Sequence, residues 1–378
     1  MDAGWDEVQQ RLPSVAAVFE QGLDEQHPGV QVYVSLDGTP IVDAALGQAR
    51  PGVELSPDHL TLWMSAGKPL AAYLAARLVA DGRLYLSDRV EDLVPAFGSG
   101  GKEAITVRHL LTHTGGFRQV SSNWSPSPWA EVIERVCDAA LEDDWIPGET
   151  AGYHVASGWY MLVEVCRVVS GVDATDAAIS AMFDRDVLGP LGMERSHVGM
   201  SRHRYIDYGV ESAVSLDMSK TPASPVAFPN SEKGHVLCRP GGNARGPARS
   251  LGRFYEQLLR DRGEMPGDAI LPGEIAREFT TRQRVGRRDE TFKAQIDWCL
   301  GFLAADVEGR RIPYGYGPHA SPDTFGHSGN RSSCAFADPA HRLVVVWVTT
   351  GLPSELLHQR RQHAVNAAIY GDLNLASG

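Results

Sequence analysis

A chain of 378 residues, 43% hydrophobic and 22% charged, has the composition of an ordinary water-soluble globular protein with ample material for a core. At ~150 residues per domain the length suits two or three lobes or one large fold. The formal net charge of −12 disfavours DNA, RNA and anionic membranes as main partners, and no basic run offsets it.

The chain opens on an acidic, amphipathic stretch with no positive segment leading into an apolar one, so no secretory signal is expected. No window approaches the ~18 uninterrupted apolar residues of a membrane span. The five cysteines (Cys137, Cys166, Cys238, Cys299, Cys334) are scattered, with no CxxC pair, and read as reduced buried thiols. A cytoplasmic protein is expected.

In chain order, residues 5–25 read as an amphipathic helix. Val30–Leu36 and Pro40–Leu46 flank Asp37-Gly38, a strong hairpin signal. Residues 65–81 are rich in Ala and Leu and stop at Gly82, a buried helix with a C-terminal signal. VRHLLTHTGGF predicts a short helix ending at Gly115-Gly116. Residues 120–130 form a Ser/Pro/Trp loop, and residues 155–170 another apolar helix closed by Gly171. Residues 200–235 have weak periodicity and many breakers, which predicts long surface connections. Residues 247–262 are an amphipathic helix. Ser332–Asp338 and Arg342–Thr350 return to strand, and residues 354–370 form a final helix. Strands at both termini with helices between imply an α+β plan: an antiparallel sheet flanked by helices, with an inserted, mostly helical lobe. The α/β part is expected over residues 1–60 and 290–378, and the helical lobe over 61–289, as one catalytic unit.

Ser65-Ala66-Gly67-Lys68 is an S-x-x-K at a predicted helix N-terminus, and three-residue spacing puts both side chains on one face. A serine hydroxyl is a weak nucleophile until a neighbouring base takes its proton. A lysine at its ordinary pKa of ~10.4 is neutral in only about one molecule in 2,500 at pH 7, so it serves as that base only when desolvated or placed near another cation.

The surroundings of Ser65 resemble the serine β-lactamase-like family: penicillin-binding proteins, class C β-lactamases, esterases and transacylases. The resemblance runs through Leu62–Lys68, Leu78–Leu84, Asp88-Arg89-Val90, Ile105–Gly116, Pro147-Gly148-Glu149, Pro190–Met193, Gly241-Gly242 and Leu251–Phe254. It implies the β-lactamase/transpeptidase-like fold, Ser65 as nucleophile and Lys68 as base. It aligns the family's Tyr-x-Asn motif with Tyr153-His154-Val155, which implies Tyr153 as co-base and leaves Val155 where the family has asparagine. Ser157 is a nearby residue able to supply the missing hydrogen bond. His154 is either a substrate contact or solvent-facing. The Lys-Thr-Gly motif aligns with His327-Ser328-Gly329, where His327 supplies a donor with a pH-dependent charge and Gly329 admits substrate close to the strand. The N–H groups of Ser65 and Asn330 would form the oxyanion hole, each donor worth about 3–4 kcal/mol of transition-state stabilisation. Arg331 is a further candidate for a substrate carboxylate or phosphate.

Trp124, Trp129 and Trp145 flank loops near the second motif and either line an acyl pocket or belong to the core. His109 and His113 sit i,i+4 but lack the glutamate of HExxH, and no metal or other cofactor is expected. The functional expectation is a serine acyltransferase or esterase. It would move the acyl group of a small natural-product ester to an amine, an alcohol or water, in the manner of the ester-to-amide transacylases of capuramycin-type nucleoside assembly. The alternatives are a D-alanyl carboxypeptidase or β-lactamase of the same fold, and a catalytically silent binding or sensor domain.

Overall fold

The Asp37-Gly38 turn closes a hairpin between β1 (Gly29–Leu36) and β2 (Thr39–Arg50). Both turn residues have positive φ, 52° and 74°, the geometry that matches the twist of paired antiparallel strands. The computed structural model describes residues 4–120, 122, 124–306 and 312–376. Five further strands complete the sheet: β3 (Val53–Glu54), β4 (Leu303–Ala304), β5 (Phe325–Gly329), β6 (Ser333–Asp338) and β7 (Leu343–Thr349). Their order is β4-β5-β6-β7-β1-β2-β3, every neighbour antiparallel, so the sheet draws on both ends of the chain.

Every side chain of β7 is buried, and its alternation divides two cores. Val344, Val346 and Val348 face a core shared with α3 (Pro69–Ala80), α5 (Ser157–Ser170) and α6 (Ala248–Asp261). Leu343, Val345 and Trp347 face the opposite core, shared with α1 (Trp5–Arg11), α2 (Pro13–Gln21) and α7 (Glu355–Asp372). The architecture is the expected β-lactamase/transpeptidase-like α+β fold.

Several elements differ from expectation. The first helix is two helices broken at Leu12, because Pro13 lacks an N–H and excludes the helical conformation from the residue before it. The helix α4 covers Val107–Leu111 and stops short of Gly115-Gly116. His113 turns left-handed (φ 57°), and its carbonyl accepts the Gly152 N–H at 2.9 Å, so a tertiary bond overrides the helical pattern. Residues 200–235 hold short helices at Arg202–Tyr208, Ala227–Asn230 and Glu232–Val236, two of them started by the serine caps Ser201 and Ser231. Two residues of the Ser/Pro/Trp loop, 121 and 123, lie outside the described residues. All five cysteines are unpaired and buried. Among the described residues no helix is long and apolar enough to cross a membrane.

Candidate active site

Ser65 lies in a single 3-10 turn, Met64–Gly67, immediately ahead of α3, whose first residue is Pro69. The turn is wedged between two other segments. The Trp63 N–H donates to the Ala244 carbonyl, and the Trp63 carbonyl accepts from Ser333 Oγ at 2.7 Å. Gly67 faces Ala244 so closely that an added Cβ would fall 2.3 Å from the alanine methyl. Met64 takes a left-handed φ of 51°, a strained conformation for a side chain of its size.

Lys68 completes the pair. Its side-chain nitrogen lies 2.8 Å from Ser65 Oγ and donates to the Gly241 carbonyl, and neither partner is anionic. The side chain is fully buried, and burial holds its pKa well below the usual lysine range. The rings of Tyr153 and Trp159 lie 5.4 and 5.9 Å from the nitrogen.

Tyr153 lies beside Ser65, whose hydroxyl favours the phenolate, but the larger effect of burial pushes the phenol above the usual range. Its ring packs among His113 (4.9 Å between centroids), Phe292 (5.1 Å), Trp298 (5.5 Å) and His327 (5.9 Å). A hydroxyl that touches a desolvated amine and a phenol at once can pass a proton along either path.

β5 brings the third motif to the same cleft. His327 Nδ1 bonds the Ser328 carbonyl at 2.8 Å, so the proton sits on Nδ1, and Nε2 has no partner among the described residues. Burial, with the Lys68 charge second, lowers its pKa to about 3. The expectation of a pH-dependent charge is therefore corrected: this imidazole is neutral throughout the physiological range. Ser328 lines the cavity, but its hydroxyl is engaged with the Tyr314 carbonyl (3.0 Å) and Gln362 Nε2 (3.0 Å). At Gly329 the close approach comes from within the protein. An added Cβ would lie 2.4 Å from the Trp63 carbonyl oxygen and 2.1 Å from Ser333 Oγ, so the glycine docks the strand on the nucleophile's turn where substrate was expected.

These residues surround a cavity of about 280 Å³. Ser65, Tyr153, His327 and Asn330 line it, as do Trp124 and Val155. Other expectations are corrected. Arg331 is absent from the lining; its guanidinium is held by the Pro353 carbonyl and Asp217. His154 is neither a cavity residue nor solvent-facing: it is 1% exposed and bonds Ser157 Oγ at 2.9 Å, which also commits Ser157 to the core. Trp129 and Trp145 are core residues whose indoles bond Glu164 and the Thr114 carbonyl. His109 and His113 serve separate local bonds, accepting the N–H groups of Thr106 and His154.

Sequence reasoning missed Thr291, Phe292, Trp298, Leu303 and Tyr314, which line the cavity from a segment with no motif, and it missed the Gly241 carbonyl on Lys68. The pair Gly241-Gly242 was the one available signal.

A model of the beta-lactamase family matches residues 15–369. The chain belongs to that family. Within it, the chain is 25% identical over 357 residues to the esterase/beta-lactamase LipL of Mycobacterium tuberculosis, covering 88% of this chain and 77% of LipL. A penicillin-binding protein homologue from Caulobacter crescentus superposes with a TM-score of 0.75 at 26% identity, over 95% of this chain and 97% of that one. EstCE1, a hydrolase with promiscuous acyltransferase activity, superposes with a TM-score of 0.76 over 96% of this chain and 100% of its own. At 20% identity that last likeness is one of fold. The protein is thus an enzyme of the β-lactamase-like serine hydrolases.

Proposed function

We propose that this enzyme is a serine esterase or acyltransferase that moves the acyl group of a small natural-product ester through Ser65 to an amine or alcohol acceptor, or to water. Ser65 Oγ attacks the ester carbonyl and its proton passes to Lys68. The N–H groups of Ser65 and Asn330 receive the oxyanion. The tetrahedral adduct expels the alcohol, which takes a proton through Tyr153. The acceptor then attacks the acyl-enzyme, gives up its own proton along the same path and restores the Ser65 hydroxyl.

The observation that carries the reading is Val155 at the cavity wall, 41% exposed, where the family's second motif has an asparagine amide. Trp124 and Phe292 also line the cavity, and this apolar surface suits an acyl chain, while Val155 itself offers no hydrogen bond to a substrate amide. The neutral His327 agrees with a donor ester that carries no carboxylate. The names of LipL and EstCE1 point the same way.

The test feeds an activated ester with rising amine and follows acid and amide together, with Ser65→Ala as control. The control is expected to lose turnover and the acyl adduct while keeping its fold. Amide that grows at the expense of acid supports transacylation; acid alone at constant rate reduces the enzyme to a hydrolase. Resemblance to a penicillin-binding protein homologue keeps a β-lactam or D-alanyl peptide reading in play, and nitrocefin turnover would favour it. Absence of any acyl adduct with any activated ester would favour a silent binding domain.

A further inference from the structure

Tyr153 is held on both sides of its backbone by the segment that carries Asp289 and Thr291. Its N–H donates to Asp289 Oδ1 at 3.1 Å, and its carbonyl accepts from Thr291 Oγ1 at 2.8 Å. The same Asp289 oxygen accepts the N–H groups of Thr291 (2.9 Å) and Phe292 (3.1 Å). One carboxylate therefore folds the turn that puts Thr291 and Phe292 in the cavity wall and ties that turn to Tyr153.

The other oxygen, Oδ2, accepts from Arg284 Nη2 at 2.8 Å. Arg284 in turn donates to the carbonyls of Thr112 (3.1 Å), His113 (3.4 Å) and Ile296 (3.1 Å). The guanidinium fork joins the 112–113 segment, whose His113 ring packs on Tyr153, to the segment that carries Trp298. Arg284 is 3% exposed and Asp289 is fully buried. A buried ion pair is a poor source of net stability, because desolvation offsets most of its attraction. This pair supplies register instead: three segments far apart in sequence meet at one place and in one orientation.

We propose that Asp289, fixed by Arg284, is a positioning residue for acyl transfer, setting the Tyr153 hydroxyl on Ser65 and the Phe292 ring in the cavity wall without touching substrate. The inference rests on the reading of Tyr153 as the proton relay. A relay displaced by about 1 Å loses on the order of 10²-fold in rate.

The test compares Asp289→Leu, Arg284→Met and the double variant, with p-nitrophenyl butyrate as probe. Turnover is expressed per Ser65 that a fluorophosphonate labels to completion, counted by intact mass, so any unfolded fraction drops out. Each single variant leaves an unpaired buried group and is expected to lower both Tm and turnover. The double variant has no unpaired charge and is expected to recover Tm, while kcat stays about 10–100-fold down with KM within about threefold. A double variant that regains the parent kcat would show the pair to be merely structural and overturn the proposal. So would single variants that lose Tm but keep kcat per labelled serine. A parent whose Ser65 no activated ester acylates overturns the esterase reading itself, an outcome distinct from a parent that acylates no faster than the double variant.

Discussion

Lys68 brings its side-chain nitrogen to 2.8 Å from Ser65 Oγ while burying itself completely, and among the described residues its only other polar partner is the Gly241 carbonyl. A cation in that position has no counter-charge to stabilise it, so burial favours the neutral amine, the form able to take a proton from serine.

Substitutions of Lys68 separate function from stability. Lys68→Arg is expected to fail almost as badly as Lys68→Ala, by about 10²–10⁴-fold in kcat, because a guanidinium does not deprotonate in this range. Lys68→Met is expected to be equally inactive yet to melt higher than the parent at pH 7. The sign follows from proton binding. Below the ordinary value of 10.5 the unfolded chain holds a proton on Lys68 that the folded chain resists, so parent stability falls as pH drops through that window. The Tm advantage of Lys68→Met should shrink as pH rises toward 10.5. An equal or lower Tm for the methionine variant at pH 7 would contradict a penalised lysine.

The pH profile follows from the same burial. His113, His154 and His327 surround Tyr153 and Lys68, and burial lowers all three, His154 and His327 to about 3. Tyr153 is displaced upward and Lys68 downward. Activity is expected to rise with pH along a single acid limb set by Lys68, with no inflection near 6.5. His327→Gln is expected to change rate but keep the position of that limb. Initial rates from pH 5 to 10 would show it, and a limb near 6.5 that vanishes in His327→Gln would assign the titration to the imidazole instead.

Gly329→Ala is expected to damage the nucleophile's turn from a distance. The added methyl would meet the Trp63 carbonyl and Ser333 Oγ at 2.4 and 2.1 Å, and the Trp63 backbone oxygen, with Met64 Cβ at 2.9 Å, leaves little room to yield. A cost of about 1–3 kcal/mol is expected, with kcat falling because Ser65 moves. Thermal melts and active-site titration would measure the two effects. A variant with parent Tm and kcat would mean that the strand and the turn are not tightly docked.

The sequence by itself determined the elements whose cause is local. Asp37-Gly38 set the hairpin, Gly171 stopped its helix, the apolar run at Leu343–Thr349 made the central strand, and S-x-x-K spacing put Ser65 and Lys68 on one face. Motifs and turn chemistry are short-range, so they are legible without a fold. Burial is not. Only the tertiary structure decided that Lys68 is desolvated, that His327 is held neutral with its proton on Nδ1, and that His154 and Ser157 belong to the core rather than the cavity. Distant segments decided the rest: Asp289 meets Tyr153 across 136 positions, Lys68 meets the Gly241 carbonyl across 173, and Ser333 meets the Trp63 carbonyl across 270. Contacts of that range are fixed by how the sheet and the helices pack, and no residue in the sequence announces its partner.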